Sequence, residues 1–230
     1  MTDRATLLSR LAQAVAREPA EHPLTWRVCH AAREVMGVDG ASITMDNSAP
    51  NRVILCATDM RSDMLENLQD VLGEGPCRDA FDLGQPMQTG LDRHAASRWP
   101  QFVPAAEKIV GPEAVLWAFP MHSAGDVIGT MNLYRLSQGP LAESIDAVQF
   151  LADTLAATLL REPSALAEMA DASAWSSRAV VHQATGMLVA QLGVSIDDAL
   201  AVLRSYAFAN SAHLAHVARA VVERKLNLTG

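Results

Sequence analysis

The chain has 230 residues, half of them hydrophobic, and a formal net charge of −8 at pH 7. This length and apolar content argue against a disordered chain and allow one large domain or two small ones. The apolar runs are far shorter than the ~20 residues of a membrane span, and the polar N-terminus has no hydrophobic signal core. We therefore expect a cytoplasmic protein with no membrane partner.

The negative charge is unevenly distributed along the chain. Residues 1–163 hold 13 Lys and Arg against 21 Asp and Glu, whereas residues 164–230 hold five of each. From Ser173 onward the basic residues exceed the acidic ones by two, and three histidines accompany them. The acidity therefore belongs to the first part, and the composition leaves polyanion binding by the second part open.

The first part contains both helix and strand patterns. Apolar residues recur at helical spacing over 6–16 and 24–36, and Gly37 provides a natural end to the second helix. Two β-rich runs, 41–45 and 52–58, flank a turn-forming segment and predict a hairpin. The later elements predicted in this part are a helix over 62–72, a short helix through Ala80 and Phe81, a helix over 105–110, and strands over 114–121 and 126–135. Helices packed on an antiparallel sheet predict an α+β domain.

From Leu141 onward only helix patterns occur. One long helix is predicted over 141–160 and, after a proline, a second over 165–192. Gly193 is expected to end that helix, and Ser195 with Asp198 forms a capping-box-like start for the next. We expect Asn210 and Ser211 to cap a third helix over 213–226. This organisation predicts a first domain over 1–162 and an all-α domain of three helices over 163–230.

The helical part resembles the ANTAR domain, a small three-helix RNA-binding module of bacterial antitermination regulators. The similarity extends over 170–228. The matching residues are Arg178, Gln183, Ala184, Gly186, Ser195, Asp198, Ala199, Leu203, Arg204, Ala207, Val217 and Ala218. Thr185 stands where the family often has lysine, so this chain lacks a point charge suited to phosphate at that position.

The first part resembles a GAF sensor domain. The similar segments are GEGPCRDAFDLGQP over 73–86, WPQF over 99–102, and the strands VLWAFPM and GDVIGTMNLYR. The GAF fold accommodates many ligands or none, so the resemblance implies only an unknown small-molecule ligand or a dimerisation role. A GAF domain followed by ANTAR implies an antitermination regulator. No phospho-receiver arrangement is found.

On a helical wheel of residues 178–192, Val181, Ala184, Leu188 and Leu192 form the core stripe. The opposite, polar face carries Arg178, His182, Thr185 and Gly186. Through the resemblance, these four residues and Gln183 are predicted RNA contacts, because proteins bind the splayed bases of RNA loops. The alternative for Gly186 is that a small residue permits close packing between helices.

Further candidates for RNA binding lie on the other two helices. Arg204 and Arg219 are either phosphate contacts or solvated surface residues. The aromatic residues Trp175, Tyr206 and Phe208 either stack on bases or pack in the core. His213 and His216 have half of a metal-pair spacing, but no carboxylate or cysteine lies near them in sequence, so we expect no metal.

The three cysteines, Cys29, Cys56 and Cys77, are odd in number and lack CxxC spacing, which argues against disulfides and zinc. Cys77 follows Gly75 and Pro76 at a predicted helix start, where a thiol pKa can be lowered. A redox-sensing role therefore stands beside the interpretation as a buried packing residue. No phosphate loop, paired catalytic carboxylates or serine-hydrolase pattern occurs, so we expect neither catalytic residues nor a cofactor.

The expected function is a regulator that binds tandem hairpins in nascent transcripts and acts on antitermination, with a possible effect on translation. The long helices over 141–160 and 165–192 are predicted to form a homodimer interface, because so long an apolar stripe exceeds what the small helical unit covers. The alternative is a GAF ligand or redox sensor whose helical tail binds a protein partner and no nucleic acid. Duplex DNA binding is less favoured, because no helix carries the basic density of a recognition helix.

Overall fold

The computed structural model describes residues 3–46, 52–161, 172–210 and 212–228. The described residues divide into two compact units. The first unit comprises the described residues up to 69 and those from 74 to 161, and the second comprises 70–73 and the described residues from 172 onward. The predicted domain boundary, at 162, lies outside the described residues.

The first unit contains an antiparallel sheet flanked by helices, as predicted, and the sheet has five strands. The strand order is β2-β1-β5-β4-β3. Its elements in chain order are α1 (Arg4–Arg17), α2 (Leu24–Met36), β1 (Gly40–Asp46), β2 (Arg52–Ala57), α3 (Met60–Leu72), α4 (Pro76–Leu83), β3 (Met87–Gly90), α5 (Arg93–Arg98), α6 (Phe102–Val110), β4 (Val115–Ser123), β5 (Asp126–Arg135) and α7 (Ile145–Leu159).

The two faces of the sheet differ in composition. One face is apolar, with Trp117, Phe119 and Met131 buried beneath α2 and α7. Because successive side chains of a strand alternate between faces, Ala118 and Asn132 belong to the other face. Helix α4 packs on this face, and α3 reaches it through the hydrogen bond between Glu66 and Ser42. Several buried side chains of that second face are hydroxyls or amides, among them Ser42, Thr130 and Asn132.

The apolar stripe of α7 is buried inside the first unit. Val148, Leu151, Leu155 and Leu159 are at most 2% exposed, and α7 packs on β4, with further contacts to α1 and α2. The prediction that this stripe needs a second chain to cover it is therefore wrong. The sheet and the two N-terminal helices provide the cover, which the helical spacing alone did not indicate.

The sequence prediction missed two short elements. Strand β3, only four residues long, pairs with β4, and α5 precedes α6, which begins earlier than predicted. Asp92 accepts a hydrogen bond from the backbone N–H of Ala95 at 2.9 Å and so caps α5. Both elements are too short for a periodic pattern to develop in the sequence.

The second unit is helical and consists of α8 (Ala172–Leu192), α9 (Ile196–Ala209) and α10 (Leu214–Val222). Gly193 has a φ of 67° and its N–H bonds to the carbonyl of Val189 at 3.0 Å, which confirms the predicted helix end. The start predicted for this helix, at 165, lies outside the described residues.

Ser195 caps α9 as predicted, whereas the predicted cap of the third helix is wrong. Asn210 instead lies at the end of α9, and its side-chain N–H donates to the carbonyl of Tyr206 at 2.8 Å. Helix α10 begins at Leu214 after His213, whose side chain makes no capping hydrogen bond. Ser211 lies outside the described residues. An asparagine can bond backward as well as forward, so its sequence position did not decide between the two helices.

Within the described residues, no helix taken singly combines the length and hydropathy of a membrane span; only the bent pair 179–192 and 196–209 meets that criterion jointly.

Candidate functional site

The exposed face of α8 carries three of the predicted contact residues. His182, Gln183 and Gly186 are exposed, whereas Ala184 and Leu188 have no exposed surface. The buried pair packs against α9 and α10 in the core of the second unit. The helical-wheel prediction of a core stripe on one side of α8 is therefore confirmed.

Gly186 leaves the backbone of α8 uncovered. A Cβ atom built at this position would have no heavy atom within 4 Å, apart from the neighbouring residues and backbone of its own helix. The alternative that glycine permits close packing of a second helix therefore receives no support from the described structure. Because glycine costs a helix interior about 1 kcal/mol relative to alanine, an uncrowded glycine has no structural benefit to set against that cost.

The prediction that Thr185 lies on the exposed polar face is wrong. Thr185 is 6% exposed, and its hydroxyl donates to the carbonyl of Val181 at 2.7 Å. This bond satisfies the hydroxyl within its own helix. Thr185 follows the core residue Ala184 by one position, and the burial extends across both. Direct contact with a ligand through this hydroxyl would require the side chain to turn.

The predicted arginines lie on different helices. Arg178 belongs to α8, but its side chain lies outside the part of the structure that is described. Arg204, on α9, is half-buried, and Arg219, on α10, is exposed. An exposed guanidinium can reach a phosphate with a bidentate pair of N–H donors, whereas a half-buried one has fewer directions of approach.

The aromatic and histidine candidates have mixed surroundings. Tyr206 is half-buried beside the core of the second unit, Phe208 is 44% exposed, and the side chain of Trp175 is not among those described. The rings of His213 and His216 meet edge to face with centroids 5.6 Å apart. The described residues contain no cluster of three or more metal-ligating side chains.

Cys77 lies in the first turn of α4 in the first unit. It is 1% exposed, and its sulfur is 2.7 Å from the hydroxyl of Thr130. The backbone N–H of Cys77 donates to the side-chain oxygen of Gln69 at 2.8 Å, so α3 caps α4 through this residue. Gly75, with a φ of 129°, supplies a backbone conformation that other residues rarely adopt. Burial favours the packing interpretation, because an oxidant has almost no access to this sulfur.

A small pocket lies between the polar face of the sheet and helices α3 and α4. Its volume is about 300 Å³ including the open mouth, and the closed part has room for about one water molecule. The polar lining includes Ser42, Glu66, Gln69, Cys77 and Asn132. Ser42, Glu66 and Asn132 are not among the functional residues that the sequence pattern predicts. The sequence signal that could have identified Ser42 and Asn132 is the alternation of polar with apolar residues in strands β1 and β5.

Family models match both units. Residues 21–159 match a GAF domain and residues 172–222 match an ANTAR domain. Both are regulatory domains, so the chain is a two-domain regulator with an α+β domain followed by a helical one. More particularly, it belongs to the GAF-ANTAR regulators, as the sequence resemblance predicted.

Comparison with solved structures finds a GAF domain at low identity. The structure is described as that of the A. Aeolicus nlh2 GAF domain in an inactive state. It is 14% identical, has a TM-score of 0.48, and the match covers 69% of this chain and 97% of that chain. No curated protein matches this sequence.

Proposed function

We propose that this protein binds hairpins in nascent transcripts through its ANTAR unit and thereby regulates transcription antitermination. On this proposal it is a cytoplasmic regulator rather than an enzyme, and the GAF unit provides signal input or dimerisation. Binding would stabilise an RNA fold that prevents a terminator from forming or exposes a ribosome-binding site. A homodimer would then bind two hairpins, one for each ANTAR unit.

The observation that carries the proposal is the uncovered backbone at Gly186 within the matched ANTAR segment. RNA loops present unstacked bases and a sugar-phosphate backbone, which proteins bind by close approach, stacking and hydrogen bonds. The exposed side chains of His182 and Gln183 on the same helix supply hydrogen-bonding groups beside the open position. Arg219, exposed on α10, is available as a phosphate contact.

The substitution Gly186→Ala tests this role directly, because it adds a single methyl group to an open position. We expect the ANTAR unit to be stabilised by up to about 1 kcal/mol, since alanine is the better helix former. We also expect hairpin affinity to fall, because the methyl group occupies the space that the RNA must enter. Opposite changes in stability and affinity distinguish a contact residue from a packing residue.

The experiment is a binding titration of the full-length protein against a tandem hairpin RNA, a scrambled RNA and duplex DNA. Gly186→Glu should reduce hairpin affinity at least about tenfold, because its carboxylate repels phosphate as well as filling the space. The control is Ala201→Glu, which adds the same charge at an exposed position of α9. It should change hairpin affinity by less than about threefold, since solvent and salt screen an exposed charge at a distance.

Two outcomes would contradict the proposal. Equal and weak binding to all three nucleic acids would contradict the RNA function and direct the search to protein partners of the helical unit. Retention of full hairpin affinity in Gly186→Glu, with the fold intact, would remove Gly186 from the contact surface. The same titration made with single and tandem hairpins at varied protein concentration tests the two-hairpin dimer.

A further inference from the structure

Three aromatic rings form a column along one side of α2. The indole of Trp26 stacks with the imidazoles of His22 and His30, at centroid distances of 4.0 and 3.7 Å and interplanar angles of 25° and 24°. The three residues are four apart in sequence, so their side chains are neighbours on the helix surface. His22 is exposed, whereas Trp26 and His30 are half-buried. The indole therefore lies between two rings that can each gain a proton near neutral pH.

The protonation of His30 is controlled by burial and by charged groups from three parts of the first unit. Burial and the positive charge of Arg33, one turn further along α2, favour the neutral ring, as does His22 when it carries a proton. The carboxylates of Glu18, at the end of α1, and Asp59, just before α3, favour the charged ring. The first set outweighs the carboxylates, so the pKa of His30 lies below its ordinary value.

A histidine whose pKa is lowered by folding contributes stability only in its neutral form. That contribution is fully present above the unfolded pKa of about 6.5, and it is lost as the pH falls through the lower folded value. A protonated imidazole is attracted to the face of an indole, which partly offsets the loss. The charged His30 ring nevertheless lacks full solvation and is repelled by Arg33, and solvent relieves both effects.

From this arrangement we propose that the column of His22, Trp26 and His30 is a proton-sensitive switch in the GAF unit. Above about pH 6.5 the neutral rings stay stacked, and α2 keeps its packing against α1 and the sheet. In mild acid the charged His30 turns toward solvent, uncovers one face of Trp26 and loosens the packing of α2. The signal is then the proton itself. This inference goes beyond the proposed RNA function and does not depend on it, since every group named belongs to the first unit.

The first test follows the ring C–H resonances of the histidines by NMR in the full-length protein, between about pH 5 and 8. His30 should titrate at lower pH than His94, an exposed histidine of α5, because burial and Arg33 disfavour its charged form. His22→Gln should raise the midpoint of His30, since a like charge is removed. Glu18→Gln should lower it, since a favourable carboxylate is lost.

The second test compares the melting temperatures of the full-length protein at about pH 7.5 and 5.5. Glutamine is polar and does not titrate, so the loss of melting temperature in acid should be at least about 2 °C smaller in His30→Gln than in the wild type. The control is His94→Gln, which removes an exposed histidine of another helix and should lose as much as the wild type.

A third measurement reports on the stack itself. The fluorescence of Trp26 is obtained as the difference between the proteins with and without the substitution Trp26→Phe. It should change between about pH 7.5 and 5.5, because the indole exchanges a stacked ring for solvent. It should stay constant when both neighbouring histidines are replaced, in the double variant His22→Gln and His30→Gln.

Three results would each overturn the proposal. They are a midpoint of His30 equal to that of His94, an equal loss of melting temperature in the wild type and His30→Gln, and a fluorescence of Trp26 that does not respond to pH. Hairpin binding is measured in a separate titration at a single pH, so a failure of the switch is distinguishable from a failure of the RNA proposal.

Discussion

Asp59 connects the start of α3 with strand β5 through hydrogen bonds to its carboxylate. It accepts bonds from the backbone N–H of Ser62 at 3.0 Å, from the Tyr134 hydroxyl at 3.0 Å and from the Thr58 hydroxyl at 3.1 Å. Burial pushes the pKa of Asp59 upward, but these bonds to the charged form outweigh it, and the pKa lies below its ordinary value. Burial together with the neighbouring carboxylate raises the pKa of Tyr134 to about 12.

The lowered pKa of Asp59 predicts a pH dependence of stability. The contribution of Asp59 is fully present above the unfolded pKa of about 3.9 and is lost as the pH falls through the lower folded value. Asp59→Asn keeps a capping side chain but removes the titration. We therefore expect the loss of melting temperature from pH 7 to pH 3 to be smaller in the variant than in the wild type. An identical loss in both proteins would show that other carboxylates account for the whole effect.

At the scale of elements, Ser195 forms both bonds of the cap of α9. Its hydroxyl accepts from the backbone N–H of Asp198 at 3.1 Å and donates to the Asp198 carboxylate at 2.7 Å. Ser195→Ala should destabilise α9 by about 1 kcal/mol, because the orphan backbone donor loses its partner. Ser205→Ala is the matched control, since Ser205 is exposed in the interior of the same helix.

The control should be neutral or slightly stabilising, because alanine has the higher helix propensity. Thermal melting and hydrogen exchange of the α9 amides measure both variants. If the two substitutions changed the stability of α9 equally, the hydrogen bonds of the Ser195 cap would contribute nothing beyond the difference in helix propensity between serine and alanine.

The elements that the sequence predicted well are those whose signals are local. Helix α2 has the predicted bounds, 24–36, because its apolar spacing is regular and Gly37 ends it in a left-handed conformation. The two predicted hairpins are present for a similar reason, since β-rich runs flank turn-forming segments.

The features that the sequence did not predict depend on contacts between distant residues. Strand β3 exists through its pairing with β4, and the pocket combines residues of strands and helices from different parts of the chain. The burial of Thr185 and of the α7 stripe also follows from what packs against them. A helical wheel orders the faces of one helix but does not show how wide the covering surface is.

For the whole molecule, the net charge of −8 and the small number of basic groups predict a shallow salt dependence of RNA binding. If Arg178, Arg204 and Arg219 each neutralise one phosphate, three contacts give a slope of log K against log salt of about −2 to −3 for one unit and one hairpin. Raising the salt from about 50 to 200 mM should therefore weaken binding by about 20- to 40-fold.

Arg219→Gln should make this slope less steep by about one, because one phosphate contact is lost. Lys108→Gln removes an exposed cation of the first unit and should leave the slope unchanged. Titrations of a single hairpin at four or more salt concentrations provide the measurement. A slope steeper than about −5 would require basic groups beyond these three, with Arg224 and Lys225, both exposed after α10, as the next candidates. A slope near zero would mean that close approach and hydrogen bonding at Gly186, rather than charge, account for the affinity.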